Sequence, residues 1–234
     1  MKVIESSRIC SGCIRKGCFI NKYSSDGWKN ILTRNKTTYK VNAGERIFTQ
    51  GETSKGIYTV YSGFIKVFDF VGNTERIVDL VTDENILGYR SLGKSFDTYS
   101  VSAEALSDCE ITFFSKDILE LAMESNKELA FFIIDLLTRK LRKAEIRGKD
   151  FQKLTAKEKV ICSLNDTINT FGVDGECLRF TPKRKDLAAL AGTTYETVVR
   201  VLSELDKQKK IKIDGKKIKI IDSQFFSENA ASIF

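Results

Sequence analysis

Arg184-Lys185-Asp186-Leu187-Ala188-Ala189-Leu190-Ala191-Gly192-Thr193-Thr194-Tyr195-Glu196-Thr197-Val198-Val199-Arg200-Val201-Leu202-Ser203-Glu204-Leu205 is the stretch on which the fold turns. Leu187, Ala188, Leu190 and Ala191 give a first helix an inner face, and Gly192 supplies the small residue that a tight interhelical turn needs. Thr193 with Glu196 three positions on predicts a capping box at the start of a second helix. In that helix Val198, Val201, Leu202 and Leu205 fall at i, i+3, i+4 and i+7 and therefore point inward. The opposite face is then Tyr195, Glu196, Val199, Arg200 and Ser203. Such a face suits a major groove, where Arg200 can donate to N7 and O6 of guanine, Glu196 can accept from the amino group of cytosine, and Val199 can meet a thymine methyl. Tyr195 and Ser203 are placed to hold phosphates, which set register without reading sequence.

Downstream, Ile211 to Ile220 alternates isoleucine with lysine around Asp214-Gly215, a hairpin signal. Ile211, Ile213, Ile218 and Ile220 form its underside. Lys212 and Lys217 coat the top, where they would add phosphate contacts. Residues 151 to 222 carry 15 Lys or Arg against 10 Asp or Glu, so +5 of the chain's net +7 lies here. Localised basic charge next to a helix-turn-helix implies double-stranded DNA as partner.

Upstream, residues 127 to 147 run without glycine or proline, and Ile134, Leu137, Leu141, Ala144, Gly148 and Phe151 step by 3, 4, 3, 4 and 3. That is a heptad seam, and it predicts a homodimer through this helix. Phe131, Phe132, Ile133 and Leu136 are left to pack the same helix onto its own domain. From Lys40 to Phe114 the pattern is different. Glycines recur at 44, 51, 56, 63, 72, 88 and 93 between β-branched and aromatic runs, among them 57–62, 64–68 and 77–81, the signature of an antiparallel roll or barrel. The expected class is α+β: an N-terminal antiparallel β-roll, a long dimerisation helix and a C-terminal winged helix-turn-helix. Its expected segments are an arm over 1–24, the roll over 25–125, the helix over 126–150 and the DNA-binding domain over 151–234.

The chain has 234 residues, 42% of them apolar and 29% charged, an ordinary globular balance. Its longest apolar run, Leu129 to Ile134, is six residues, far below the ~20 of a membrane-crossing helix. The start, Met1 to Arg8, lacks an apolar signal stretch, so a cytoplasmic location is expected. Histidine is absent, which removes His-ligated haem, mixed Cys/His zinc sites and Ser-His or Cys-His nucleophiles. Neither a dinucleotide-binding nor a phosphate-binding glycine loop is present, and no enzymatic activity is expected. Six cysteines remain, and a reducing compartment makes them metal ligands, redox groups or buried small residues rather than disulfides. Cys10, Cys13 and Cys18 crowd into a polar arm with no packing role evident. A metal–sulfur cluster, a four-sulfur zinc site and a thiol switch all remain open for them. Cys162 and Cys177, the latter in a glycine-rich turn, are expected to be structural.

The order roll, long helix, helix-turn-helix and basic hairpin, with Glu196-Thr197-Val198 and Arg200 in the second helix, resembles the Crp/Fnr family of bacterial transcription regulators over nearly the whole chain. The resemblance implies dimers, palindromic TGA-like half-sites read by Glu196 and Arg200, and contact with RNA polymerase. In the cyclic-AMP branch a Gly-Glu pair and an Arg-Ser pair hold the nucleotide phosphate. The matching positions here are Gly88-Tyr89 and Tyr99-Ser100, with Arg90 nearby. A tyrosine cannot replace a bidentate guanidinium on phosphate, so cyclic AMP is not the expected effector. The run Leu87 to Gly93 is similar instead to the oxygen-sensing fumarate and nitrate reductase regulator branch. That branch implies a [4Fe-4S] cluster held by three arm cysteines, matched by Cys10, Cys13 and Cys18, and by a fourth in the roll, matched by Cys109. Arg8, Arg15 and Lys16 would then favour thiolates. The alternative is a regulator of the same family that responds to a small organic effector in the roll, with its cysteines structural or zinc-binding.

Overall fold

The computed structural model describes residues 1–5, 8–93, 95 and 97–231. Ser6 and Ser7 of the N-terminal stretch, and residues 232–234 of the last expected segment, lie outside them. Two compact units make up the chain, Met1–Val67 with Val81–Arg142, and Phe68–Leu80 with Lys143–Phe234. Among the described residues no helix is long and apolar enough to cross a membrane.

From the start of the chain come β1 (Lys2–Ile4), α1 (Phe19–Tyr23), α2 (Asp26–Arg34), β2 (Lys36–Val41), β3 (Arg46–Phe48), β4 (Gly56–Ser62), β5 (Ile65–Val71), β6 (Thr74–Val81), β7 (Ile86–Leu87), β8 (Ser102–Ala105), β9 (Cys109–Ser115), α3 (Lys116–Ser125) and α4 (Lys127–Asp150), of which Phe68–Leu80 in β5 and β6 and the end of α4 from Lys143 count with the second unit and the rest with the first. The strands form two sheets, ordered β1-β2-β9-β4-β7 and β3-β8-β5-β6. In the first sheet β9 lies between β2 and β4, with Thr112 opposite Thr38 on one side and Thr59 on the other. Side chains alternate across a strand, so Ile57, Thr59, Thr112 and Phe114 share one face while Tyr58, Cys109, Ile111 and Phe113 share the other. On the first face Phe19, Ile20, Leu32, Ile57, Phe114, Leu119, Leu129 and Ile133 make one buried cluster. It draws in the start of the chain, since Phe19 and Ile20 of the short α1 are each 1% exposed. Fully burying side chains of that size stabilises by roughly 1.5–3 kcal/mol each, which is what holds a five-residue helix in place.

The second unit is built on α5 (Ala156–Phe171), β10 (Val173–Asp174), β11 (Cys177–Leu178), α6 (Arg184–Ala191), α7 (Tyr195–Lys207), β12 (Ile211–Asp214), β13 (Lys217–Ile220) and α8 (Ser223–Ala231). Thr155 and Glu158 close a full capping box on α5. Val160, Ile161 and Leu164 of α5 pack with Leu187, Val198, Val201, Leu202, Leu205, Ile211, Ile218 and Phe226 in the core.

Three local expectations are corrected here. Cys177 lies in a strand rather than a turn, because Gly175 at φ +59 closes a β10–β11 hairpin that adds to the expected one and makes a four-stranded sheet, β10-β11-β13-β12. The β12–β13 turn is centred on Gly215-Lys216 rather than Asp214-Gly215, because Asp214 already pairs with Lys217. Glycine then occupies the first central position at φ +57, where only a residue without Cβ is relaxed. Phe131 does not pack α4 onto the roll but is 69% exposed, while Leu129 and Ile133 are buried.

Candidate nucleic-acid interface and cysteine pocket

Helix α6 ends at Gly192, whose left-handed φ +59, ψ +42 lets its N–H return to the Ala188 carbonyl. The cap of α7 is Thr194, not Thr193 as the spacing suggested: the Thr194 hydroxyl accepts from Thr197 N at 3.3 Å. A cap one residue later puts Thr197, and not Glu196, at its third position, so the Glu196 carboxylate lies outside it. Val198, Val201, Leu202 and Leu205 are 0–1% exposed, and Tyr195, Glu196, Val199, Arg200 and Ser203 all face solvent. Neither Glu196 nor Arg200 has an ion-pair partner among the described residues. Glu204, one turn beyond Arg200, is by contrast occupied: Lys157 binds it and holds its carboxyl below the usual range, and Gln208 donates to it at 3.2 Å. Ser203 spends its proton on the Val199 carbonyl at 3.0 Å, leaving only lone pairs outward.

The hairpin beside α7 is tied to the helix pair at three points. Asp206 accepts from Ile213 N at 3.0 Å, Thr181 accepts from Ile218 N at 3.3 Å, and Arg184 donates to the Lys216 carbonyl at 3.3 Å. Lys212 and Lys217 are exposed on it, over buried Ile211, Ile218 and Ile220. The unit therefore presents an outward helix face with the Glu196 carboxylate and the Arg200 guanidinium, neither in an ion pair among the described residues though Arg200 adds a weak pull on Glu204, flanked by lysines on an anchored hairpin.

In the roll, Gly88, Tyr89, Arg90, Tyr99 and Ser100 line a single narrow pocket together with Phe48, Val67, Leu87 and Val101. Aromatic rings take up much of the space. Tyr99 stacks on Phe48 at 4.1 Å and donates its hydroxyl to the Gly56 carbonyl at 3.0 Å, and burial pushes its phenol pKa up. Gly88 sits at φ +79, where a Cβ would press on the Gly56 carbonyl at 3.1 Å and on the Tyr99 ring at 3.2 Å. Arg90 lies at the mouth, 5.2 Å over the Tyr89 ring.

Cys10, Cys13 and Cys18 line a larger pocket with Arg8, Arg15, Lys36, Thr59, Tyr61, Glu84, Thr112 and Phe114. Cys10 and Cys18 do have a packing role, contrary to expectation, because both lean on the buried cluster beneath. Two of the three expected thiolate-favouring cations are also committed elsewhere: Arg8 pairs with Glu110, and Arg15 with Asp83 at 3.2 Å. At Cys18 burial wins and raises the thiol pKa, with Cys10 and Cys13 pushing the same way. Cys109 is not among the lining residues. It belongs to the opposite face of β9, 5% exposed, where its thiol donates to the Ser107 carbonyl at 3.1 Å and a Cβ on Gly63 would collide with its sulfur. The structure thus brings three of the four expected ligands to one cavity and leaves the fourth across the sheet. No group of three or more Cys, Asp or Glu is close enough to hold an ion among the described residues.

Comparison with known proteins matches these two halves separately. The cyclic nucleotide-binding domain family matches residues 39–126 and the Crp-like helix-turn-helix domain family residues 159–225, together about two thirds of the chain. The chain belongs to the Crp/Fnr family. Its relatives of Fnr and Anr type place it near the Fnr branch: it is 26% identical to the transcriptional activator protein FnrA of Stutzerimonas stutzeri, over 92% of this chain and 89% of that protein. It is 28% identical to the transcriptional activator protein anr of Pseudomonas aeruginosa, over 85% and 81%. In fold it is similar to FixK2 from Bradyrhizobium japonicum, with a TM-score of 0.74 at 22% identity over 82% of this chain and 96% of that one. This Crp/Fnr regulator is accordingly a DNA-binding transcription regulator, and no catalytic family is indicated for it.

Proposed function

We propose that the chain acts as a homodimer on palindromic DNA with TGA-like half-sites and senses oxygen or redox state through its N-terminal arm. The observation that carries the DNA reading is the outward face of α7, where Glu196 and Arg200 are exposed, and in no ion pair among the described residues, beside the Lys212 and Lys217 hairpin. Arg200 reads guanine, Glu196 accepts from cytosine, Val199 meets a thymine methyl, and Tyr195 and the lysines hold the backbone, which Ser203 joins only by turning its hydroxyl away from the Val199 carbonyl. Ile134, Leu137, Leu141 and Ala144, all exposed along one side of α4, supply the seam for a second copy. The division of labour follows the segments 1–24, 25–125, 126–150 and 151–234, and bound dimers recruit RNA polymerase.

For the arm, the proposed cofactor is a [4Fe-4S] cluster with Cys10, Cys13 and Cys18 as three of its ligands. A cubane of this kind takes four thiolates, and Cys109 as the fourth does not fit the arrangement described above, in which it faces away from the arm. Support for redox sensing is therefore the convergence of three thiols on one cavity and the likeness to Fnr-type activators. Anaerobically purified protein is expected to be brown, to carry about four irons and four acid-labile sulfides per chain, and to bleach in air. Colourless protein with zinc or no metal would move the sensing role to the second reading, a small organic effector in the cavity of Gly88, Tyr89, Arg90, Tyr99 and Ser100.

A further inference from the structure

Tyr61 stands where the β4–β9 register shifts, between Val60 opposite Ile111 and Ser62 opposite Glu110. Alternation along β4 puts Tyr61 on the same face as Ile57 and Thr59, and its ring forms part of the wall of the cysteine cavity. Both arginines that bracket Cys10 and Cys13 lie over it: the Arg8 guanidinium at 3.7 Å from the ring centroid and that of Arg15 at 5.0 Å. Each then continues to a carboxylate on the roll, Arg8 to Glu110 and Arg15 to Asp83. Backbone bonds from the same arm complete the attachment, Cys10 N to the Thr33 hydroxyl at 2.9 Å and Gly17 N to Glu84 at 3.3 Å. One ring therefore carries two cations from two points on the chain that flank the first two thiols.

We propose that Tyr61 is a positioning residue that latches the cysteine arm to the roll through Arg8 and Arg15 and so sets how accessible Cys10 and Cys13 are. The latch stands on the geometry of the arm and holds whatever the thiols bind. A guanidinium over an aromatic face is attracted by the ring quadrupole, more strongly when partly desolvated. Two on one ring lose their common anchor when that ring goes.

The test is the rate of iodoacetamide alkylation at each cysteine of the full-length, reduced, metal-free protein, read by peptide mass. Tyr61→Leu should speed Cys10 and Cys13 by about tenfold while buried Cys162 keeps its wild-type rate. Tyr61→Phe, which retains the ring face, should restore slow reaction. Arg8→Gln and Arg15→Gln, which keep the Tyr61 ring and remove one cation each, should each give a smaller rise. Wild-type rates in Tyr61→Leu, an equally fast Tyr61→Phe, or a rise shared by Cys162 would each overturn the latch. Absence of iron from anaerobic protein would overturn the cluster and leave these rates as the separate measure of the latch.

Discussion

The proposed reading gives Arg200 and Lys217 different jobs on DNA, and single substitutions separate them. Arg200→Ala should cost about 1–3 kcal/mol at the guanine it contacts and flatten base preference there, measured by competition between duplexes differing at that position. Lys217→Ala should weaken all duplexes alike and reduce the slope of log K against log salt by about one. An unchanged base preference in Arg200→Ala would remove that residue from sequence reading. The helix cap makes an equally sharp case. Thr194→Ala should lower stability by about 1 kcal/mol in urea unfolding, and Thr193→Ala should change it little, because only Thr194 accepts from the first turn. In α5, burial first and then Asp166 and Glu158 push the Cys162 thiol up to about 11. Raising a thiol's pKa disfavours its thiolate, so Cys162 should stay unreactive to alkylation at neutral pH and gain reactivity only as pH climbs toward 11.

At the scale of elements, α4 has two apolar sides with different fates. Leu129 and Ile133 are buried in the roll, whereas Ile134 and Leu141 are 57% and 61% exposed. Ile134→Glu with Leu141→Glu should therefore leave the circular dichroism spectrum intact and raise the dimer dissociation constant roughly a hundredfold or more in sedimentation. The two faces of α7 and the exposed apolar stripe of α4 are legible in the sequence because amphipathic spacing depends only on neighbours along the helix. Phe131 was misread because a seam and an inner stripe differ by a fraction of a turn, and only the docked partner decides between them. The cap of α7 slipped by one because Thr193 and Thr194 are both capping residues, and the backbone at Gly192 chooses. Helix α1 left little periodic signal in five residues; what holds it is burial of Phe19 and Ile20, a tertiary fact. Cys109 sharing a strand face with Ile111 and Phe113 was readable from alternation, but which face the arm covers was not.

For the molecule as a whole, two α7 helices delivered by one dimer should protect half-sites about one helical turn apart, ~34 Å, in a hydroxyl-radical footprint. Cyclic AMP should give no rise in melting temperature, since the Tyr99–Phe48 stack and the close approach of Gly88 to Tyr99 narrow the roll pocket and Tyr99 offers its phosphate no guanidinium. A rise of several degrees at millimolar cyclic AMP would show that the rings swing aside.

Cys18 is followed at once by Phe19, which is 1% exposed and stacks on Phe132 of α4, as does Tyr23 four residues later at 4.6 Å. The peptide between the last thiol and that ring stack has no slack. A pull on the sulfur reaches α4 within a single residue, with no intervening loop to dissipate it, so if the arm senses as proposed, detector and lever are one piece of chain.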